Sequence, residues 1–365
     1  MLRIKWQNDA PPPEALRHTK NMNDLQSKYQ AMLLVSFGGP EGPDDVMPYL
    51  KNVLRGRNVP ESRMLEVAKH YDQFGGVSPI NEQNRALIES LKQEFTDHEI
   101  KLPIYFGNRN WNPLLEDTLR QMKEDGVKDA IAFFTSTFSC YSGCRQYREN
   151  IHEAQQNIGE GAPRIHKVRM SFNHPLFVKA ASERVNDAAQ ALQISDDSPV
   201  ELLFTAHSIP ESMAGGCNYQ LQLNEACRLV ANESGLSNWK LAFQSRSGPP
   251  HQPWLEPDVC DYLEQVKTKG VTNVIIMPIG FVSDHMEVMF DLDVEAQEKC
   301  EELGIRMSRA KTFGTHQDFV TLIRELVLER AFDTERLAVG ELPASHDVCP
   351  PNCCQSGRPG HVSPV

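Results

Sequence analysis

The sequence predicts an α/β protein with two similar doubly wound domains, each containing a parallel sheet, and a cleft between them. One observation is a series of short apolar runs that are bounded by Gly or Pro and separated by amphipathic stretches. Such runs suit strands buried on both faces, because they are too short for helices. A second observation is that the two halves of the chain repeat one another. The predicted strands are Met32–Val35, Ile104–Phe106, Ala130–Phe134, Leu202–Phe204, Leu241–Phe243 and Val274–Met277.

The repeat is visible in the order of residue types along the chain. Residues 31–40 contain an apolar run, a ring-bearing side chain and a proline in the same places as residues 201–210. The short segment 107–109 ends in arginine after one predicted strand, as 244–246 does after another. Repeated strands separated by helical patterns are typical of parallel sheets covered by helices. We therefore expect two domains of one plan, with active groups facing each other across the cleft.

The length of the chain fits this organisation. A chain of 365 residues is too long for one small core and suits two domains of roughly 150 residues each. The N-terminal segment has three consecutive prolines and scattered charges but no apolar stretch typical of a signal peptide, so we expect a disordered or loosely docked arm. The predicted units are the arm (1–30), an N-terminal half (31–173), a C-terminal half (174–335) and a Cys-containing tail (336–365).

Charge and motif content exclude several classes of protein. A net charge of -12 argues against nucleic acid as a partner, because phosphate binding needs a cationic surface. No apolar run approaches the roughly 20 residues that span a bilayer, so we expect a cytoplasmic monomer with at most peripheral membrane contact. The glycine segment 38–42 lacks the G-x-G-x-x-G spacing, and Pro40 removes a backbone amide, so no nucleotide is expected. A serine hydrolase is disfavoured because the sequence has no G-x-S-x-G elbow.

Titratable side chains follow two of the predicted strands. His207 ends one strand, while His285 and Glu287 follow another. Ligands of such sheets lie outside the carboxyl ends of the strands. Glu287, Asp291 and Glu295 recur at every fourth residue and share one face of a predicted helix. That face alone could be a solvated surface, but the second strand-end histidine favours an acid–base or metal-handling site. One His opposite one Glu is too few ligands for a strong metal site, which suits an ion in transit.

Several motifs, in this order along the chain, resemble those of the ferrochelatase family, whose members insert ferrous iron into a porphyrin. The resemblance covers about residues 31–335. It implies two Rossmann-like, chelatase-type domains that bind no nucleotide. The motifs are FGGP (37–40), LRGR (54–57), GGVSPI (75–80), YSGCRQY (141–147), TAHSIP (205–210), FQSR (243–246), WLEP (254–257) and GFVSDHME (280–287).

The resemblance also implies roles for individual residues. His207 is expected to accept pyrrole protons or to hold the incoming Fe(2+), with Glu287 as its partner across the ring. Asp291 and Glu295 are expected to continue the path to solvent. Basic side chains suit the carboxylates of a porphyrin. The candidate porphyrin-binding residues are Phe37, Arg55, Arg57, Ser78, Arg109 and Tyr147.

The porphyrin itself has more than one candidate. The segments SFGGPEGP (36–43) and YSGCRQYREN (141–150) resemble the actinobacterial type of the family, which implies coproporphyrin III as the substrate. Other bacterial and mitochondrial members use protoporphyrin IX. Sirohydrochlorin chelation is a weaker enzymatic alternative, and a non-catalytic haem or metal carrier is the alternative from another class.

The C-terminal tail carries three cysteines without any helical or strand pattern. Disulfides are disfavoured in a reducing compartment, so metal ligation becomes the leading interpretation of Cys349, Cys353 and Cys354. Thiols scattered in a disordered tail are the alternative. Some family members hold a [2Fe–2S] cluster with one Cys of the first domain and three near the C-terminus. The resemblance implies Cys144 as the first-domain ligand, or alternatively Cys140. The adjacent pair 353–354 is tighter than the expected spacing.

Overall fold

A computed structural model describes residues 22–56, 59–193, 199–249, 251–358 and 360–365. Two four-stranded sheets form the framework, and every strand pairing within them is parallel. The strands are β1 (Ala31–Ser36), β2 (Ile104–Asn108), β3 (Asp129–Phe134), β4 (Arg164–Lys167), β5 (Val200–His207), β6 (Trp239–Gln244), β7 (Asn273–Met277) and β8 (Arg306–Arg309). The prediction of a two-domain α/β fold with parallel sheets is confirmed.

Helices connect and cover the strands. Two segments have π-helical i→i+5 hydrogen bonding and are named π1 (Tyr141–Arg145) and π2 (Met289–Ala296). The α-helices are α1 (Met22–Lys28), α2 (Pro43–Val53), α3 (Glu61–Asp72), α4 (Ile80–Asp97), α5 (Leu115–Glu124), α6 (Gln146–Ile158), α7 (Pro175–Leu192), α8 (Glu211–Ala214), α9 (Tyr219–Ser234), α10 (Val259–Thr268), α11 (Met286–Val288), α12 (Gln297–Leu303) and α13 (Gln317–Phe332).

The two sheets have equivalent strand orders. The first is β2-β1-β3-β4 and the second is β6-β5-β7-β8. The first strand of each half therefore lies between the second and third strands, as in a doubly wound sheet. All six apolar runs singled out in the sequence lie in strands. The sequence repeat thus reflects a repeat of the fold.

The edge strands β4 and β8 were not predicted. Their sequences are RIHK and RMSR, and most of their residues are exposed or half-buried. An edge strand pairs on one side only, so it can do without an apolar run, although the other two edge strands, β2 and β6, contain one. The central strands β1 and β7, in contrast, are buried along their whole length.

Helices α7 and α13 pack between the two halves and join their apolar cores. Phe177 of α7 packs against Phe313, with ring centroids 4.6 Å apart. Phe319 of α13 contacts both Phe313 and Phe133, which belongs to the first sheet. These aromatic side chains are almost fully buried. The predicted boundary between the halves therefore lies within a shared core, so we expect the halves to unfold together.

The N-terminal arm differs from its prediction in the part that the structure describes. Met22–Lys28 form helix α1, and Leu25 is fully buried in the core. The Lys28 ammonium donates to the Ala331 carbonyl at 3.0 Å. The expectation of a loose arm is therefore wrong for these residues, since the buried Leu25 and Tyr29 anchor them. The rest of the arm, residues 1–21, lies outside the described residues. Across the described part of the chain, no helix combines the length and apolarity needed to cross a bilayer.

Candidate active site

Two strand ends of the second half come together through a close glycine contact. His207 is the last residue of β5, and the loop after β7 passes beside it. A Cβ on Gly280 would lie 2.8 Å from the Ala206 Cα, so only glycine allows this approach. The Gly280 amide donates to the Thr205 carbonyl at 3.1 Å. The GFVSDHME motif is thereby held against the strand that ends in His207.

An acid–base pair results from this contact. The Nε2 atom of His207 lies 3.6 Å from the Glu287 Oε2 atom, and the Nδ1 atom of His285 lies 3.9 Å from the same oxygen. Glu287 is 49% exposed while His207 is 33% exposed, so the pair opens to a surface rather than lying in the core. The Tyr219 hydroxyl donates to the His207 carbonyl at 3.0 Å and fixes the strand end.

The pair is an imidazolium and a carboxylate near neutral pH. Burial acts to lower the pKa of His207, but the Glu287 charge and hydrogen bonds to Glu287 and the Ser208 carbonyl raise it to about 9. Burial acts to raise the pKa of Glu287, but His207 and His285 lower it to about 2. Burial lowers the pKa of His285. His207 therefore carries a proton that any bound cation would have to displace.

The acidic residues after Glu287 follow π2. The Asp291 carboxylate accepts hydrogen bonds from Ser245 and, at 3.3 Å, from Gln244, whose amide also donates to the Glu287 carbonyl at 3.0 Å. Burial, assisted by Glu287 and Glu295, raises the pKa of Asp291 to about 7. Burial and nearby carboxylates also raise the pKa of Glu295, which is exposed. The predicted ladder thus runs from the acid–base pair to solvent.

Side chains of the first half position this segment. The Gln83 carbonyl accepts from the Asp284 amide at 2.8 Å, and the Ser283 hydroxyl donates to the Asn84 carbonyl at 3.3 Å. Arg309 also donates to the Asp284 carboxylate at 3.1 Å. The predicted site residues do not include Gln83, Asn84 or Arg309. They lie on α4 and β8, far from the motif in sequence, so no local pattern identifies them.

The first half contributes an apolar and cationic wall. The Arg109 guanidinium lies over the Tyr147 ring, 4.6 Å from its centroid, and 5.5 Å from that of Phe37. Its Nε atom donates to Asn150 at 2.7 Å. Its Nη1 atom is buried without a hydrogen-bond partner among the described residues. The three predicted residues Phe37, Arg109 and Tyr147 therefore form one contact group.

The FGGP and GGVSPI motifs contact each other directly. Ser78 is buried, and its amide donates to the Pro40 carbonyl at 2.8 Å. A Cβ on Gly39 would lie 2.7 Å from the Ser78 Cβ atom. Glycine at position 39 therefore allows the loop after β1 to pack closely on Ser78.

Helices α2 and α3 form a lip that reaches the second half. Tyr49 and Tyr71 are buried with Met286 in one apolar cluster, and the Glu287 charge helps burial to raise the pKa of both tyrosines. His70 of α3 stacks on Phe290 of π2, with centroids 3.8 Å apart and planes 9° apart. Arg55 is exposed just beyond α2. Arg57 lies outside the described residues.

A second cluster of titratable groups lies at the tail. Cys144 of π1 forms a side-chain hydrogen bond with Cys349, which also bonds Cys353. The sulfur atoms of Cys353 and Cys354 are 3.5 Å apart. We call these four cysteines the thiol site. Hydrogen bonds from Cys144 and Cys353 lower the pKa of Cys349 well below the usual thiol range, assisted by Lys167 and Arg148.

Cys144, rather than Cys140, meets the tail cysteines. The Cys140 sulfur accepts from the Gly143 amide at 3.1 Å and caps π1, and burial raises its pKa to about 11. Its hydrogen bonds are thus made within its own turn. All nine cysteines of the chain are free thiols.

The tail is docked rather than floppy. It has no helix or strand over the described residues 336–358 and 360–365, but buried cations of the first half bind its carbonyls. Arg169 donates to Leu337 at 2.6 Å, and Arg145 donates to Cys353 at 2.7 Å. The expectation of a floppy tail is therefore wrong for the described residues.

Fold and site together define a class of protein: a two-domain α/β enzyme of the chelatase type, with an acid–base pair at the strand ends of one half and a cationic wall on the other. SirB from Bacillus subtilis with Fe3+ has a similar fold, with a TM-score of 0.53 at 12% identity over 82% of this chain and 96% of that one.

Sequence comparison identifies the family within this class. The profile of the ferrochelatase family matches residues 29–331, and the chain belongs to this family. A ferrochelatase of Rhodopirellula baltica is 60% identical, covering 89% of this chain and 93% of that protein. A coproporphyrin III ferrochelatase of Streptomyces coelicolor is 47% identical, covering 91% and 95%. The predicted resemblance is thus confirmed, and the chain is an enzyme that inserts Fe(2+) into a porphyrin in haem synthesis, rather than a carrier.

Proposed function

We propose that the porphyrin is coproporphyrin III and that the product is its iron complex. Two observations support this choice over protoporphyrin IX. Relatives from Streptomyces and Nocardia that bear the name coproporphyrin III ferrochelatase are 47% and 48% identical to this chain. Both halves also contain cationic side chains near the candidate residues in sequence: Arg109 lies in the wall, Arg55 lies just beyond α2, and Arg246 follows Ser245, which binds Asp291. A substrate with four propionates can use more such groups than one with two.

The observation that carries the chemistry is the His207–Glu287 pair, 3.6 Å apart. In the resting enzyme His207 is protonated and Glu287 is ionised. An approaching Fe(2+) would repel the imidazolium proton and bind the carboxylate, which leaves a neutral imidazole to hold iron or to accept a pyrrole proton. Two N–H protons must leave the ring for each iron that enters, so the site needs a route for protons.

We assign that route to Asp291 and Glu295. Asp291 has a pKa of about 7, so it can accept and release protons at neutral pH. Glu295 lies one step further along π2 and is exposed. The Gln244 amide donates to the Glu287 backbone carbonyl and to the Asp291 carboxylate, which holds the two residues in place relative to each other.

We propose that the first half binds the porphyrin. Phe37 and Tyr147 offer apolar rings, and the unpaired Nη1 atom of Arg109 suits a propionate oxygen. Ser78 packs against the FGGP loop at Gly39. Stacking of His70 on Phe290 joins the lip to π2, so a planar macrocycle would have to separate these rings to pass between the halves.

Substrate preference is tested by anaerobic Fe(2+) insertion with coproporphyrin III and protoporphyrin IX, each followed by its absorption change. We expect kcat/KM to be at least about tenfold higher for coproporphyrin III, the ratio that one additional charge-assisted contact supplies. Equal or better use of protoporphyrin IX would contradict the proposal.

We also propose that the thiol site holds a [2Fe–2S] cluster. Such a cluster takes four cysteine thiolates, and Cys144, Cys349, Cys353 and Cys354 are joined by side-chain hydrogen bonds. The 3.5 Å between the adjacent sulfurs is compatible with two ligands on one iron. Lys167 and Arg148 favour the thiolate form of Cys349. When bound, the cluster supplies a one-electron redox centre. Free thiols throughout the chain support a reducing, cytoplasmic compartment.

The cluster is tested on protein purified without oxygen. We expect a reddish-brown protein with about two irons and two acid-labile sulfides per chain. Cys144→Ser should abolish the colour, whereas the matched variant Cys140→Ser should keep it. Colourless, sulfide-free wild-type protein would contradict the cluster, and loss of colour in Cys140→Ser alone would contradict the ligand assignment.

A further inference from the structure

A nitrogen donor lies beside the thiol site in addition to its four sulfurs. The Nε2 atom of His346 is 3.5 Å from the Cys353 sulfur. The ligating atoms of His346, Cys349 and Cys353 all lie within 4.8 Å of one another. A cluster held by four cysteines has no ligand position left for an imidazole. His346 would therefore act on such a cluster in a way other than as a ligand.

The contact between His346 and Cys353 is held at both ends by the first half. The buried Lys167 ammonium donates to the His346 carbonyl at 3.3 Å. The buried Arg145 guanidinium donates to the Cys353 carbonyl at 2.7 Å. Arg145 belongs to π1, the same segment that supplies Cys144. The imidazole and the sulfur are thus placed by buried groups rather than by a chance surface contact.

The next residue along the tail strengthens this placement. The Asp347 carboxylate accepts from Arg330 at 2.9 Å and from Arg336 at 3.0 Å. Arg330 belongs to α13, and Arg336 lies just after the end of that helix. The backbone at His346 and Asp347 is therefore held beside the thiol site, while the imidazole itself is exposed.

We propose that His346 donates its Nε2–H to the Cys353 sulfur and so makes the bound cluster easier to reduce. This inference rests on the cluster proposed above. Reduction adds one electron to the cluster and makes its sulfurs more negative. An N–H donor stabilises the more negative state more than the oxidised state. Lys167, whose charge acts on the same thiols, favours the reduced state in the same direction.

The test is a redox titration of the full-length protein, with the cluster followed by its visible absorption and by the EPR signal of its reduced form. His346→Ala should keep iron, sulfide and colour but lower the reduced-to-oxidised ratio about tenfold at a given potential, which is 59 mV for one electron. His346→Gln retains an N–H donor and should recover most of the loss. His98→Ala is the matched control, because that imidazole contacts the Glu94 carbonyl instead.

Three outcomes would overturn the inference. An unchanged potential in His346→Ala would show that the imidazole does not act on the cluster. Loss of the cluster in His346→Ala, with normal thermal stability, would make His346 a ligand. Wild-type protein without sulfide would remove the cluster itself, and this failure is recognised before any variant is made.

Discussion

The two halves of this enzyme share one strand order but carry different chemistry at equivalent places. In each half a π-helical segment follows the third strand of the chain order, π1 after β3 and π2 after β7. In the first half π1 directs Cys144 and Arg145 toward the tail. In the second half π2 carries Asp291 behind the acid–base pair. Wide turns of this kind are common at functional sites, and here one scaffold uses them for two unrelated tasks.

The strand ends show the same division. The first strand of the first half ends next to Phe37, whereas its counterpart in the second half ends in His207. The first half thus presents rings and a buried guanidinium, and the second presents groups that exchange protons near neutral pH. We infer that the first half mainly binds the porphyrin and that the second mainly performs metallation.

Removing the imidazole of the second half should have the largest effect. His207→Ala leaves Glu287 with the more distant His285 imidazole in place of the closer one, so we expect kcat to fall about 100-fold or more, the usual range for a lost acid–base group. Porphyrin affinity, measured by quenching of intrinsic fluorescence, should change little. Near-normal turnover in this variant would remove His207 from the reaction.

Loss of the Glu287 carboxylate and loss of the Asp291 carboxylate should lower kcat by different factors. Glu287→Gln should lower kcat more than Asp291→Asn, because Glu287 lies 3.6 Å from His207 whereas Asp291 is proposed to act only as a proton relay. Steady-state assays at pH 7 compare the variants. Equal and small effects would instead indicate a solvated helix face.

On the first-half side, Arg109→Met should raise the KM for porphyrin about tenfold, as expected for one lost charge-assisted hydrogen bond of roughly 1.5 kcal/mol. The kcat should stay within about threefold, because in our account the guanidinium binds the substrate and not the reacting atoms. Arg120→Met, which removes an exposed partner of Glu116, is the control. A loss confined to kcat would contradict the division between the halves.

The smallest effect concerns stability. Burial raises the pKa of Asp291 in the folded protein to about 7, above the ordinary Asp value of about 4. The folded protein therefore keeps this proton to higher pH than the unfolded chain does, and stability falls as pH rises from about 4 through 7. Asp291→Asn removes this dependence. The Tm of the variant relative to wild type should therefore increase between pH 5 and pH 8. The exposed substitution Glu233→Gln is the control, and a pH-independent difference for Asp291→Asn would argue against the raised pKa of Asp291.

The sequence predicts those parts of the molecule that have a local residue pattern. Six of the strands contain apolar runs, and the candidate site residues His207, Glu287 and Arg109 follow strand ends. The edge strands β4 and β8 are half-exposed and leave no such run.

Contacts between distant segments could not be predicted in this way. Gln83 binds Asp284 across 201 positions of sequence, and Arg145 binds the tail across 208. The segments π1 and π2 are π-helical, a rare form for which the sequence showed no pattern. The tail appeared loose because its anchors are backbone carbonyls, which carry no sequence signal.

The division between the halves is tested most directly by single-turnover metallation. Wild type, His207→Ala and Arg109→Met are each saturated with coproporphyrin III, mixed rapidly with Fe(2+) without oxygen, and followed by absorption. Saturation removes differences in binding, so the rate reports metallation alone. We predict that His207→Ala is slowed about 100-fold or more, while Arg109→Met stays within about threefold of wild type. Comparable losses in the two variants would contradict the account.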